Sequence, residues 1–244
     1  MTYVIVGASA GVGRALATRF ASAGHDLLLV ASEDRDLRAT AADLAIRHGV
    51  RARWMAADAG ADRMCAERIA TAADELGGFD GVLFPIGAVA ATDDCGFDPD
   101  QSARLVDVNF SAVAAITTRL LPHLLTRPRA TIVGFGSVAA TRGRGKNVAY
   151  SAAKRALASF FESLRHACAG SGVAVQFYVL GYMDTELAAG VRSPIPKGDP
   201  RALGDLILKN LDRDVGVVYY PWFWRALSVA LRGVPWSLFK RLRF

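Results

Sequence analysis

Paired cysteines, clustered histidines and long apolar runs are all missing from this 244-residue sequence. The three cysteines, Cys65, Cys95 and Cys168, are odd in number and far apart. They spell neither a disulfide framework nor a metal knuckle, and they fit a reducing cytosol. The four histidines, His25, His48, His123 and His166, show no pair at ligand spacing, so no metal site is expected. No run reaches the ~18 uninterrupted apolar residues of a conventional spanning helix. The N-terminus enters the stretch TYVIV directly, without a basic segment or cleavage site, which argues against a signal peptide. Acid is missing in one place. Residues 221–244 carry Arg225, Arg232, Lys240, Arg241 and Arg243 but no Asp or Glu, so the net charge of +6 is largely a property of the tail.

Apolar residues are plentiful, 52% of the chain, and fall in short runs between helical patterns. Runs at 2–6, 27–30, 51–56, 81–86, 130–135, 173–180 and 215–220 read as strands. Helical patterns cover 14–23, 35–48, 61–75, 99–124 and 147–169, with Pro99 in a first turn and Asn147 as a candidate N-cap. Continuous apolar strands alternating with helices imply a parallel sheet covered on both faces. With no repeat and no linker, the expectation is one α/β domain, a doubly wound sheet of seven parallel strands. Residues 1–220 would form it, and 221–244 an aromatic, basic helical tail, within the domain or peripheral to it.

Three stretches carry chemistry. Gly7-Ala8-Ser9-Ala10-Gly11-Val12-Gly13 joins the first strand to the first helix. Glycines allow close backbone approach and a helix start offers unpaired N–H groups, which suits a phosphate. A tight turn that binds nothing has the same composition. After the second strand the chain reads Ala31-Ser32-Glu33-Asp34-Arg35. An acid at the strand tip would suit the free ribose hydroxyls of NAD. Ala31 and Ser32 instead leave room for a 2′-phosphate within reach of Arg35, which favours NADP(H) over NAD(H). Glu33 and Asp34 then read as helix N-terminal acids. The third stretch is Ser137 to Lys154. Tyr150 and Lys154 are four apart, on one helix face. A phenol has a pKa of about 10, and a nearby ammonium favours its phenolate. With Ser137 holding the oxygen in line, the set would make a general acid/base for a carbonyl or alcohol.

Taken in order, GASAGVG at 7–13, Asp58, Asn109, Ser137, Tyr150-x3-Lys154 and Gly181-x3-Thr185 resemble the short-chain dehydrogenase/reductase family over nearly the whole chain. The resemblance implies a Rossmann fold, an NAD(P) cofactor and a homo-oligomer. It implies that Gly7, Gly11 and Gly13, with Ser9 and Val12, lie under the pyrophosphate. Asp58 would bond the adenine, Gly87 would let the cofactor approach, and Gly181 and Thr185 would line the nicotinamide end. Asn109 would hold a water and a local helix distortion that link Lys154 to solvent. Ser137 would orient the substrate oxygen, Tyr150 would pass the proton, and Lys154 would bond the nicotinamide ribose and depress the tyrosine pKa. Two stretches depart from the family pattern: Pro85-Ile86-Gly87-Ala88 after the fourth strand and Leu180-Gly181 after the sixth.

The tail holds three of the four tryptophans, Trp222, Trp224 and Trp236. Pro221 would start a helix, Gly233 end it and Pro235 start another. Tryptophan with Lys and Arg suits a helix at an anionic membrane surface. A cover for the substrate cleft or a homodimer contact is the alternative; nucleic acid is not expected, since the aromatic residues lie in an apolar helix. The tail is also similar to that of decaprenylphosphoryl 2-keto-pentose reductase-like family members, which implies a polyprenyl-phosphate-linked keto-sugar. Arg142, Arg144 and Lys146 would then contact its phosphate. The expectation is a cytoplasmic NAD(P)H-dependent carbonyl reductase, peripheral at the inner face of the membrane, acting on an amphiphilic ketone. A 3-oxoacyl thioester reductase and a non-catalytic NAD(P)-sensing protein are the alternatives.

Overall fold

The computed structural model describes residues 1–62, 64–90, 93, 98–186 and 195–242. Cys95, Arg243 and the middle of the 182–200 loop expected to close over a substrate lie outside the described residues. Strands β1 (Thr2–Val6), β2 (Asp26–Ala31), β3 (Ala52–Ala56), β4 (Gly81–Phe84), β5 (Ala130–Ser137), β6 (Val173–Leu180) and β7 (Val217–Tyr220) form one sheet. The order is β3-β2-β1-β4-β5-β6-β7, and every neighbouring pair is parallel. The winding direction reverses between β1 and β4. In such sheets the crevice at the strand C-termini beside the reversal is where ligands bind.

Alternation along β1 shows how the core is split. Val4 and Val6 enter one apolar layer with residues of α3 (Cys65–Asp74), α5 (Ala112–Leu125) and α6 (Val148–Ala167). Tyr3 and Ile5 enter the opposite layer with residues of α1 (Gly11–Ser22), α2 (Asp34–His48) and α7 (Pro200–Asn210). Each fully buried Leu, Ile, Val or Phe contributes about 1.5–3 kcal/mol. Two complete layers therefore fix the sheet that holds the crevice open.

Two boundaries differ from the sequence expectation for clear reasons. The strand expected over 81–86 stops at Phe84, because Pro85 has no N–H for the ladder. The long helix expected over 99–124 is broken. Asp98 caps α4 (Pro99–Val106) by accepting from the backbone N–H groups of Asp100 and Gln101, both at 3.0 Å. A π-helical turn then spans Asp107–Ser111 before α5 begins. Asn109 lies in that turn, fully buried.

Beyond β7, α8 (Trp224–Gly233) and α9 (Trp236–Phe239) pack against the C-terminal end of the sheet. The first begins three residues after Pro221. Trp224 and Ser228, one turn apart, face inward, while Trp222 is 81% exposed and Trp236 66% exposed.

Candidate active site

The loop after β1 is built by close approach. Gly7 has φ +99°, and a Cβ there would lie 2.6 Å from the backbone of Ile86. A Cβ on Gly13 would collide with the carbonyl of Gly7. Both glycines are thus required by packing between the turn, α1 and the segment after β4. Gly11 differs: it has φ +49°, and its nearest neighbour is the Thr185 side chain at an ordinary 3.4 Å. The start of α1 has no side-chain cap and no acid in its first turn. Its unsatisfied N–H groups and positive dipole end suit an anion. Those features fit a dinucleotide pyrophosphate over Gly11, with Thr185 beside it. Arg14, absent from the sequence expectation, braces the loop by donating from Nε to the Ser9 carbonyl at 2.9 Å and pairs with Asp36 at 3.4 Å. Val12 packs into the layer below.

At the end of β2, Ser32 and Arg35 are exposed. Asp34 accepts from the indole N–H of Trp54 at 3.0 Å, so its carboxylate is engaged by β3. Asp58 is half-buried and accepts from Gly60 N–H and the Arg104 guanidinium, both at 3.1 Å.

The catalytic candidates converge at the far side of the crevice. Asn109 Nδ2 donates to the carbonyls of Ala88 at 2.8 Å and Leu105 at 2.9 Å. The π turn is what lets one side chain tie the helix to the segment after β4. Gly87 lies against both partners: a Cβ there would meet Asn109 Oδ1 at 3.1 Å and Lys154 Nζ at 3.5 Å. The Lys154 ammonium is buried and donates to the carbonyls of Phe135 at 3.1 Å and Ile86 at 3.4 Å. Burial pushes it down from 10.5 to about 8. Burial pushes the Tyr150 phenol up, opposed by a hydrogen bond with Ser137 and by the nearby Arg144 cation. Ser137 Oγ also accepts from Ala139 N–H at 3.1 Å, which orients the hydroxyl at the start of a 3-10 turn, Val138–Thr141.

This corrects the expected electrostatics. Lys154 was expected to depress the tyrosine pKa, but its ammonium donates to the carbonyls of Phe135 and Ile86. Arg144 is the cation that acts on the phenol. A protonated phenol is the state the site favours.

One other expectation changes. Arg142 does not face a substrate phosphate. It donates to the carbonyls of Leu231, at 3.0 Å, and Val234, and it lies over the Phe239 ring. Gly181 is explained by the tail: a Cβ there would collide with the Trp224 indole. Lys146 is exposed. Asn147 sits at the N-cap position of α6 with φ 57° and ψ 46°, and its side chain makes no capping bond. Asp93 supplies the cap instead, which local sequence reading missed because the cap comes from a residue far upstream.

Among the described residues no group of three or more His, Cys, Asp or Glu could hold a metal ion. Among them, too, no helix is long and apolar enough to cross a membrane.

The family model for short chain dehydrogenases matches residues 1–195. The chain is 33% identical over 239 residues to a hydroxysteroid 11-beta-dehydrogenase 1-like protein of Macaca fascicularis, covering 95% of this chain and 82% of that one. It is 32% identical over 199 residues to 1-deoxy-11-beta-hydroxypentalenate dehydrogenase of Streptomyces exfoliatus, covering 78% and 70%. The solved short-chain dehydrogenase from Sphingobium yanoikuyae in complex with NADPH superposes with a TM-score of 0.83 at 26% identity, covering 99% of this chain and 96% of that one.

Proposed function

Because this chain belongs to the short-chain dehydrogenase family and is an NAD(P)-dependent oxidoreductase, we propose that it reduces the ketone of an amphiphilic substrate, with Tyr150 as the proton donor. The observation that carries this reading is that the strand ending in Ser137, whose hydroxyl acts on the Tyr150 phenol, also offers the Phe135 carbonyl that holds the buried Lys154 ammonium. When bound, the reduced nicotinamide supplies a hydride to the carbonyl carbon. Tyr150 gives its phenolic proton to the carbonyl oxygen, and the pair of additions leaves a secondary alcohol. Ser137 donates to the same oxygen and fixes its direction. Lys154 keeps a positive charge beneath the site at neutral pH, and the Arg144 cation near the phenol favours the phenolate as it forms. Asn109 holds the backbone beside Gly87, and Lys154 would hold the nicotinamide ribose.

NADP(H) is the preferred cofactor in this reading. The tip of β2 presents Ser32 and Arg35, and Asp34 is engaged by Trp54. A relative of known structure carries NADPH. For the substrate, two relatives are named for a steroid and for a pentalenate, both largely apolar ring systems. The exposed Trp222 and Trp236 lie in a tail with no acid, so the substrate is taken from, or carried at, an anionic membrane surface. A polyprenyl-phosphate-linked keto-sugar satisfies these conditions, with Arg144 and Lys146 on its phosphate. A 3-oxoacyl thioester does so only for its apolar chain.

The test is initial-rate reduction of androstenedione, acetoacetyl-CoA and a polyprenyl-phosphate 2-keto-pentose, with NADPH and NADH in parallel. The expected result is turnover of a lipid-like ketone, with NADPH preferred at least about tenfold, the value of one charge-assisted contact. Turnover of acetoacetyl-CoA alone would move the reading to thioester reduction. Tight cofactor binding without reduction of any ketone would move it to a sensing protein.

A further inference from the structure

Asp93 lies in the segment between β4 and α4 and is 6% exposed. Its carboxylate accepts from two backbone N–H groups in the first turn of α6: Ala149 on Oδ1 at 2.9 Å and Tyr150 on Oδ2 at 2.9 Å. Its own backbone carbonyl accepts from Asn147 N–H at 2.5 Å and from Val148 N–H at 3.4 Å. One residue therefore binds all four consecutive N–H groups at the start of the helix that carries Tyr150 and Lys154. Asn147 stands where a capping side chain belongs, but its left-handed backbone leaves it without a side-chain capping bond.

From this geometry we infer that Asp93 is a positioning residue for the proton donor. It does not touch the reacting atoms. It holds the Tyr150 amide directly, and so sets where the phenol stands relative to Ser137. An ordinary cap would serve only to stop the helix fraying. This one also joins the helix start to the segment whose other end carries Gly87 and Ala88, where Asn109 and Lys154 make their contacts. The two ends of the segment thus bracket the catalytic pair. Small displacements matter at such a site, because a shift of about 1 Å costs on the order of 100-fold in rate. The inference rests on Tyr150 being the donor, as proposed above.

The experiment compares wild type, Asp93→Ala, Asp93→Asn and Tyr150→Phe. It measures kcat and KM for NADPH with the best ketone of that panel, NADPH affinity by fluorescence, and hydrogen exchange of the amides at 147–150. Asp93→Ala is expected to lower kcat by about 10–100-fold. KM, NADPH affinity and amide protection of the sheet should stay unchanged, while the Tyr150 amide loses protection. Asp93→Asn, which keeps one acceptor oxygen, should fall between wild type and alanine. Wild-type kcat in Asp93→Ala, with Tyr150→Phe inactive, would overturn this inference alone. Loss of kcat in step with NADPH affinity and sheet protection would also overturn it, by reducing Asp93 to a fold-stabilising cap. Unimpaired turnover in Tyr150→Phe would overturn the proton-donor assignment and this inference together.

Discussion

The guanidinium of Arg142 lies 3.9 Å from the centre of the Phe239 ring. Arg142 follows the 3-10 turn that Ser137 begins, and Phe239 closes the last helix described. Through this contact, and through Thr141 Oγ1 at 3.0 Å from Ser228 Oγ, the tail is bound to the loop leading into Tyr150. The tail, expected either within the domain or peripheral to it, packs against the loop that leads to Tyr150.

Arg142→Ala should therefore loosen α8 and α9. A desolvated cation–π contact contributes about 2 kcal/mol, and a hydrogen bond from a charged group about 1.5–3 kcal/mol. The expected outcome is a lower Tm and faster limited proteolysis in residues 221–242, with NADPH affinity retained. Unchanged proteolysis would show that the tail is held by other contacts.

Gly181→Ala tests the seat of Trp224. The added methyl would collide with the indole, and overpacking of this kind costs about 1–3 kcal/mol. Tryptophan emission should shift as Trp224 is displaced. Adding Trp224→Phe, which removes the pyrrole ring, should recover part of the stability. Additive losses in the double variant would mean that the two residues do not compete for the same space.

Lys154→Met separates stability from catalysis. The folded protein releases the Lys154 proton near 8, and the unfolded chain near 10.5. The unfolded chain thus binds more protons between those values, and wild-type stability rises with pH across the window. The gap corresponds to roughly 3 kcal/mol held against the fold at neutral pH. Part of this returns on substitution, offset by about 1–3 kcal/mol for the unpaired carbonyls of Phe135 and Ile86. Denaturation of both proteins should show methionine losing ground to wild type by roughly 2 kcal/mol between pH 7 and 10. A pH-independent difference would contradict the burial of the ammonium. Turnover should be lost in this variant at every pH.

Much of the architecture was legible because it rests on short-range pattern. Buried strands such as Val4–Val6 and Leu27–Val30 are continuous apolar runs, and glycines mark the turn at Gly7 to Gly13. The candidate catalytic side chains stand out in the sequence as residue types at fixed spacing. What was hidden depends on contacts between distant segments. Nothing near Asn147 announces that its helix is capped by Asp93. Arg142 reads as a phosphate ligand until the tail folds onto it, and nothing near Gly181 announces that Trp224 packs against it. The helix over 99–124 reads as continuous because a π turn leaves the apolar pattern almost intact, and only its geometry places Asn109.

The membrane reading is tested at residues that are not part of the packed tail. Deleting 221–244 would strip Trp224 and Phe239 from buried positions, so point substitution is the cleaner experiment. Trp222→Ser with Trp236→Ser should leave Tm unchanged, since both side chains are mostly exposed, and should reduce co-sedimentation with vesicles containing phosphatidylglycerol. Lys240→Gln with Arg241→Gln should weaken the association further, at about 1 kcal/mol per charge near the surface. Sedimentation unaffected by all four changes would refute the membrane surface.

The central claim is that Tyr150 donates the proton, and Tyr150→Phe tests it most directly. The substitution removes one hydroxyl and keeps the ring. Ketone reduction should fall by at least about 100–10,000-fold, the range of general acid catalysis, while NADPH binding measured by fluorescence stays at the wild-type value. Reduction at the wild-type rate by a Tyr150→Phe protein that binds NADPH normally would contradict the account.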